Sequence, residues 1–591
     1  MNRMSGILSE LRCPKGRVIE GAYQPCIGLT YGKWASYGLY CVLTIIGLGA
    51  GCKQSNDKAT QPAPPVNQAP WFKEVAQASN VNFRHVFALV QRYYLPESVS
   101  GGACLLDYDR DGLLDIYLVQ GGDLEPATAD VPGNRLYRNL GNWKFHDVTD
   151  ATGTGDKRYG MGCTCGDYDG DGDTDIYVTN MGPNVLLRNN GDQTFTDVTT
   201  TAGVGDAGLS MSTAFVDYDG DGHLDLLVTN YVRWTPAREQ VCLSRLDQRD
   251  YCGPNSYHAP APDTLYRNQG DGTFENVSES SGLRKVYGNG LGVAVGDFNN
   301  DGHIDFYVAN DQVPNQLWLN TGDGRFEDGA LLAGCALNES GSAEAGMGVM
   351  AVDADDDGDL DLFMSHLRDE SNTFYLNQGG TFEDATAVMG LAASSIPFTG
   401  FGLGFADFDN DRQLDIFVAN GRVDLFEPVN DPDRPYTEPN LLFRGLGNRR
   451  YKEILPRGGT TESLVEMSRG AAFGDLNNDG AVDVVVVNNG APVHILRNVV
   501  GVKRHWVMFK VLNPAGGYAL GAQVKVVMGD AVLWRQVQRA YSYCSSNDPR
   551  VHFGLSDALT VDKVEVRWPD GHTQSFGPFD ADTIYELRYS K

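Results

Sequence analysis

Aspartate, replaced by asparagine at the third place of two copies, occupies the first, third, fifth and ninth places of a nine-residue segment that occurs seven times along the chain. The first copy, DYDRDGLLD, carries Asp107, Asp109, Asp111 and Asp115. The second and third carry Asp167, Asp169, Asp171, Asp175 and Asp217, Asp219, Asp221, Asp225. The fourth has Asp297, Asn299, Asp301 and Asp305, and the fifth Asp353, Asp355, Asp357 and Asp361. The sixth has Asp407, Asp409, Asp411 and Asp415, and the seventh Asp475, Asn477, Asp479 and Asp483. Four hard oxygen donors gathered on one sharp turn suit Ca²⁺ better than Mg²⁺ or a transition metal. Up to seven such sites are expected, with a structural role. Carboxylates this close repel one another unless a cation intervenes. The net charge is −30, and seven divalent ions would offset on the order of fourteen charges.

The other places of the segment agree with a metal-binding turn. Glycine at the sixth place permits the turn, except that Arg412 stands there in the sixth copy and adds a positive charge. The seventh place varies freely (Leu113, Asp173, His223, His303, Asp359, Gln413, Ala481), as expected of a backbone carbonyl ligand. A helix–loop–helix calcium site needs a bidentate acid at place twelve. Here that place is Leu118, Val178, Val228, Val308, Met364, Val418 and Val486, so that reading is excluded.

The elements that position these turns repeat too. Each acidic segment runs into an alternating strand (DIYVTN, DLLVTN, DFYVAN), then a second ending like LYRN, then a third such as FTDVT. A Gly-rich strand precedes each turn, as in GLGVAVGD, which makes four strands per unit. The turns lie 60, 50, 80, 56, 54 and 68 residues apart. The longest intervals hold insertions around Cys242–Cys252 and from Arg422 to Pro439. Seven units that cannot bury both faces alone predict an all-β, seven-bladed β-propeller. The segment from Trp71 resembles the third-strand text and is expected to supply a strand to the ring closure. GVGDAG, Gly203 to Gly208, matches a dinucleotide fingerprint in spelling, but it joins two blades and reads as an inter-blade turn.

The acidic balance argues against nucleic acid as a partner. Among 11 cysteines, Cys242 and Cys252 are the disulfide candidates, and Cys163 and Cys165 read as small buried side chains on one strand face. Residues 34–52 carry no charge and end in LYCVLTIIGLGAG before Cys52, which reads as an export signal. Three forms are open: a lipoprotein lipidated at Cys52, a plain cleaved signal, or a retained helical anchor. Membrane association is expected only through that N-terminal lipid or signal anchor. Residues 53–69 form a polar, Pro-bearing linker. GxSxG, HExxH, Walker and CxxC motifs are absent from the sequence. His85, Glu97 and His366 are the residues placed to gather near the propeller mouth.

After about residue 500 the text changes to short alternating strands (WVMFKV, AQVKVVM, VLWRQVQ, DKVEVRW, YELRY), a compact antiparallel β-domain with an exposed polar SSND turn. The repeats, carried by GLGVAVGDFNNDGHID from Gly290 and FGLGFADFDNDRQLD from Phe401, resemble the FG-GAP/VCBS type of integrin α-subunit propellers. LGAQVKVVMGD from Leu520, YSYCSSNDPRVHFGL from Tyr541 and VDKVEVRWPDGHTQSF from Val561 resemble the ASPIC/UnbV domain, with Cys544 where that domain more often has Ser. Together they resemble the cartilage acidic protein (CRTAC) family, which implies extracellular calcium binding and interaction or adhesion. The expected division is signal 1–52, linker 53–69, propeller 70–500 and ASPIC/UnbV domain 501–591. An exported binding protein with an extracellular protein or glycan partner is expected. The alternative is a lyase or hydrolase with a central-channel site.

Overall fold

A computed structural model describes residues 69–88, 91–124, 131–425 and 431–590. The export signal, Cys52 and all of the linker but Ala69 lie outside these residues.

Seven four-stranded antiparallel sheets occupy the chain from Phe72 to Asn498. Blade two is typical, with strands Tyr159–Gly166, Asp175–Met181, Val185–Asn189 and Phe195–Asp197. Its first strand is buried throughout, while its last exposes two of three residues. Alternation explains that gradient: only the outermost strand has a face with no neighbouring blade to cover it. The seven inner strands are Ala103–Leu106, Tyr159–Gly166, Ser210–Val216, Gly290–Gly296, Val349–Val352, Gly400–Ala406 and Ser468–Gly474. Each packs beside the next, and the last packs beside the first, so the blades close a propeller ring. The closing blade takes its outer strand from the front of the chain, where Phe72–Glu74 pairs antiparallel with His494–Asn498. Gly203 ends a one-turn helix, Thr199–Ala202, between blades two and three, as an inter-blade turn should.

The C-terminal strands form a three-stranded, a four-stranded and a two-stranded sheet around a core that includes Val507, Phe509, Val524, Phe553 and Trp568. Pairing is antiparallel except that His505–Leu512 runs parallel to Thr583–Arg588.

The segment Arg539–Arg550 leaves this domain and enters the propeller channel. It hydrogen-bonds to the inner strands of six of the seven blades, and Gln536, just before it, to that of the fourth. Leu105 N–H donates to Ser546 O at 3.0 Å and Cys163 N–H to Cys544 O at 3.2 Å. Cys544 N–H donates to Ser212 Oγ at 3.0 Å, and Gln536, at the root of the segment, donates to Val295 O at 3.3 Å. Ser542 exchanges backbone bonds with Val349, and its Oγ accepts from Leu403 N–H. Asp548 N–H donates to Phe473 O. The expectation of an exposed SSND turn is therefore wrong: Ser546 and Asn547 are fully buried. Their polar atoms satisfy inner-strand groups facing the channel, which water would otherwise have to reach.

Candidate metal centres

Each acidic turn connects an inner strand to the next strand, and all seven share one hydrogen-bond scheme. In blade one, Asp107 Oδ2 accepts from Gly112 N–H at 3.0 Å. Asp115, the ninth residue, accepts from Tyr108 N–H with one oxygen and from Asn139 N–H with the other, at 3.1 and 2.7 Å. The same pair of bonds recurs at Asp175, Asp225, Asp305, Asp361, Asp415 and Asp483. This carboxylate is fully or almost fully buried in every blade. It ties the turn to the third strand and fixes one wall of the cluster. The sixth residue holds a left-handed backbone, φ +87° at Gly112 and +77° at Arg412. The positive charge that Arg412 adds is directed away from the sixth cluster: its guanidinium donates to Leu555 O in the C-terminal domain at 2.8 and 3.1 Å.

In five turns three carboxylate oxygens lie within 4.8 Å of one another. The trios are Asp107/Asp109/Asp115, Asp167/Asp169/Asp175, Asp217/Asp219/Asp225, Asp353/Asp355/Asp357 and Asp407/Asp409/Asp415. The expected fourth donor, at the fifth place, stands apart in four of them. Asp111, Asp171, Asp221 and Asp411 accept from the N–H two residues on, as does Asp357, which nonetheless joins its trio. In turns four and seven the asparagine donates to its neighbour, Asn299 to Asp301 and Asn477 to Asp479, at 2.9 and 2.7 Å.

These trios fit a hard cation. Oδ1 of Asp107, Asp109, Asp167 and Asp355 is buried with no hydrogen-bond donor, while Oδ2 of Asp109 and of Asp355 is ion-paired with Arg138 and Arg449. An orphaned buried carboxylate oxygen is costly and calls for a positive partner. Burial, then neighbouring aspartates, pushes the acids up: Asp167 and Asp217 to about 6, Asp225 and Asp407 to about 8. Asp115, Asp175, Asp415 and Asp483 rise well above the usual carboxylate range, burial again leading.

Two sets of partners escaped the sequence reading. Arginines next to last in the third strand reach the clusters: Arg138 lies 2.6 Å from Asp109, Arg267 2.8 Å from Asp219 and Arg444 2.7 Å from Asp409. The asparagine that ends the third strand in most blades bridges to the preceding blade: Asn189 Nδ2 donates to Tyr108 O, Asn268 to Tyr168 O and Asn320 to Tyr218 O. The signal was present in the repeated LYRN text, which read only as a strand ending.

The C-terminal domain lies over the acidic turns. Arg535 pairs with Asp356, and Arg550 donates to Asn478 Oδ1 and Asp475 O. The two insertions meet each other: Leu425 N–H donates to Asp250 Oδ2 and Tyr436 O–H to Asp250 Oδ1. Cys242 and Cys252 are disulfide-bonded there, and Cys163 and Cys165 are buried thiols. Val241 is 79% exposed and Leu243 60% on the disulfide loop.

His85, Glu97 and His366 are each buried but serve separate places. His85 Nε2 accepts from Gly121 N–H, Glu97 accepts from Tyr93 N–H, and His366 sits 3.9 Å from Glu344. The channel that would house a central catalytic site is filled by Arg539–Arg550. Among the described residues no helix is long and apolar enough to cross a membrane.

The sequence profile of the FG-GAP-like repeat matches residues 107–178, 167–228, 251–308, 297–364 and 353–418, and that of ASPIC and UnbV matches 514–591. Cartilage acidic protein 1 of Xenopus tropicalis is 27% identical over 332 residues, 54% of this chain and 47% of that protein. The Homo sapiens protein of the same name is 24% identical over 347 residues, 57% of this chain and 50% of its own length. The chain thus spans about half the length of the curated relatives it matches. Among solved structures, the BP39L lectin from Burkholderia pseudomallei aligns over 68% of this chain and 96% of its own, with TM-score 0.40 and 9% identity. YCF48 bound to D1 peptide aligns over 74% and 99%, with TM-score 0.39 and 7% identity.

Proposed function

The chain is homologous to the cartilage acidic protein 1 family, carrying FG-GAP repeats and an ASPIC/UnbV domain, and from that premise we propose an exported calcium-binding propeller that engages an extracellular partner. Calcium is structural in this reading. The supporting observation is the set of buried carboxylate oxygens left without donors in the acidic trios. Asp107, Asp109 and Asp115, with their counterparts, hold the ion, and the turns are stiffened through binding linkage. Elemental analysis of purified protein, followed by calorimetric calcium titration after chelation, tests it. A metal-free protein that takes up no calcium would sink the reading.

The partner, a protein or a glycan, meets the propeller at exposed features. One is the disulfide loop, whose apolar Val241 and Leu243 stand in solvent. Contiguous exposed apolar side chains mark interaction sites more often than isolated ones do. Export places the disulfide in an oxidising compartment where it persists. Substituting Val241 and Leu243 with serine should weaken capture of the partner while leaving calcium content unchanged.

A further inference from the structure

The C-terminal domain grips three of the acidic turns. At turn five, Trp534 N–H donates to Asp356 Oδ1 at 3.0 Å, and Arg535 pairs with the same carboxylate. At turn six, Ser556 N–H donates to Asn410 O at 3.0 Å, and Arg412 reaches back to Leu555 O. At turn seven, Arg550 donates to Asn478 Oδ1 and Asp475 O at 2.6 and 2.7 Å, and His552 Nε2 to Gly480 O at 3.0 Å.

These contacts fall on the fourth place of each turn (Asp356, Asn410, Asn478), on the sixth (Arg412, Gly480) and on the backbone of Asp475, not on the carboxylates of the donor places. Among the described residues, Arg504 is the one cation of the domain that pairs with a donor carboxylate of these turns, 3.0 Å from Asp409 and 3.7 Å from Asp411. Arg550 arrives with its charge answered by Asp548 at 2.7 Å. The first carboxylate of each turn is covered all the same. Asp353, Asp407 and Asp475 are 5%, 2% and 0% exposed, whereas Asp167 and Asp217 are half-buried. Asp353 and Asp407 line a cavity of about 90 Å³ shared with Met508, Arg535 and His552, too small for a chelating molecule. Turn three faces the domain across a cleft of about 760 Å³, which is large enough for one.

We propose that the C-terminal domain is a latch over the metal places of turns five, six and seven. An ion there leaves or enters only when the domain lifts, while turn three exchanges its ion with the domain seated. The latch rests on the calcium of the proposed function and adds how that calcium is kept. Lifting is a local opening that precedes release and uptake alike. Weakening the grip therefore speeds both by the same factor and leaves affinity where it was. Loss of a ligand acts differently: it speeds release and lowers affinity.

The test mixes the full calcium-loaded chain with excess fluorescent chelator and follows release in time. Two phases are expected. Asp219→Ala should remove amplitude from the fast phase, and Asp409→Ala from the slow one. Asp356 and Arg412 hold left-handed backbone, φ +58° and +77°, so glycine at either removes a grip without straining the turn. The domain lifts as one body, so Asp356→Gly and Arg412→Gly should each quicken the whole slow phase about tenfold, the worth of one charge-assisted hydrogen bond. Uptake by the stripped protein should quicken equally, with calorimetric affinity unchanged. If one variant fails to fold, the other decides. A slow phase that a folded variant leaves unchanged overturns the latch, as does release of every ion in one phase, or slow amplitude lost with Asp219→Ala. Those results leave calcium binding standing; a chain that takes up no calcium overturns the latch and the proposed function together.

Discussion

Asn139 in blade one donates its side-chain amide to the carbonyl of Leu476 in blade seven, at 2.7 Å across 337 positions of sequence. The same amide also donates to Leu114 O within its own blade, at 3.0 Å. The counterpart bonds of Asn189, Asn268, Asn320, Asn377 and Asn498 each reach the preceding blade's turn. Blade six ends its third strand in Gly445, where a side chain's first carbon would meet Leu414 O at 2.4 Å. Six seams are therefore stitched this way and one is not. The stitch also couples sites, because the accepting carbonyl belongs to the second residue of the neighbouring acidic turn.

Replacing Asn139 with alanine should cost about 2 kcal/mol, because two buried backbone carbonyls lose their donor. The seam it closes joins the two ends of the ring, so unfolding by urea should show a lower midpoint. Far-UV circular dichroism across a urea series measures it. An unchanged midpoint would mean that the ring is held by apolar packing alone.

Calcium titration should resolve two classes of site. Five turns bring three carboxylates together, while turns four and seven replace one with Asn299 or Asn477. One formal charge fewer lowers affinity, since ligand charge tunes calcium binding. Asn299→Asp should move turn four into the tighter class, and calorimetry would read the shift in stoichiometry between phases.

Stability of the chelated protein should fall as pH rises from 6.5 to 8.5. Asp225, Asp361 and Asp407 are raised to about 8, and Asp305 and Asp353 to about 7, with burial the leading cause. The folded state then binds more protons than the unfolded chain, so stability present at low pH is lost as pH rises through these values. Below 6.5 two buried and two half-buried histidines work oppositely: His85 is lowered to about 3, and His366, His494 and His552 to about 4. Their contribution is present above pH 6.5 and is lost on acidification. Calcium removes only the share belonging to the turns, because Glu97 and Glu438, raised to about 7, lie elsewhere. Melting curves in chelator and in calcium should diverge most at pH 8.5; a chelated midpoint that rises over this window contradicts the assignment.

The blades and the acidic turns were legible because their signals are local. A period-two strand, a glycine turn and repeated aspartates each occupy fewer than ten residues. The strand Phe72–Glu74 could be placed because its text copied that of other blades. The site of SSND was not legible, because polar side chains read as solvent-facing unless their distant partners are known. Ser546 finds its partners at Ala103 and Leu105, more than 400 positions away. The arginines reaching Asp109, Asp219 and Asp409 were hidden likewise: strand register, not spacing, brings them to the turn.

The channel segment makes its own prediction through the glycines that admit it. A side-chain carbon at Gly102 would stand 1.9 Å from the carbonyl oxygen of Cys544, and one at Gly162 would stand 2.8 Å from the Cys544 Cβ. Backbone on both sides leaves no flexible group to yield at Gly102. Gly102→Ala should therefore unseat Arg539–Arg550, exposing inner-strand amides such as Leu105 N–H that now donate to Ser546 O. Cys544→Ser asks for no extra space, and its hydroxyl can approach Ser212 Oγ, now 4.0 Å from the thiol. That change should cost no more than about 1 kcal/mol. Hydrogen exchange followed by mass spectrometry separates the two. Strong protection of residues 539–550 is expected in the parent and in Cys544→Ser, and fast exchange in Gly102→Ala. Equal protection in all three would mean that the segment is seated by its own domain and not by the ring.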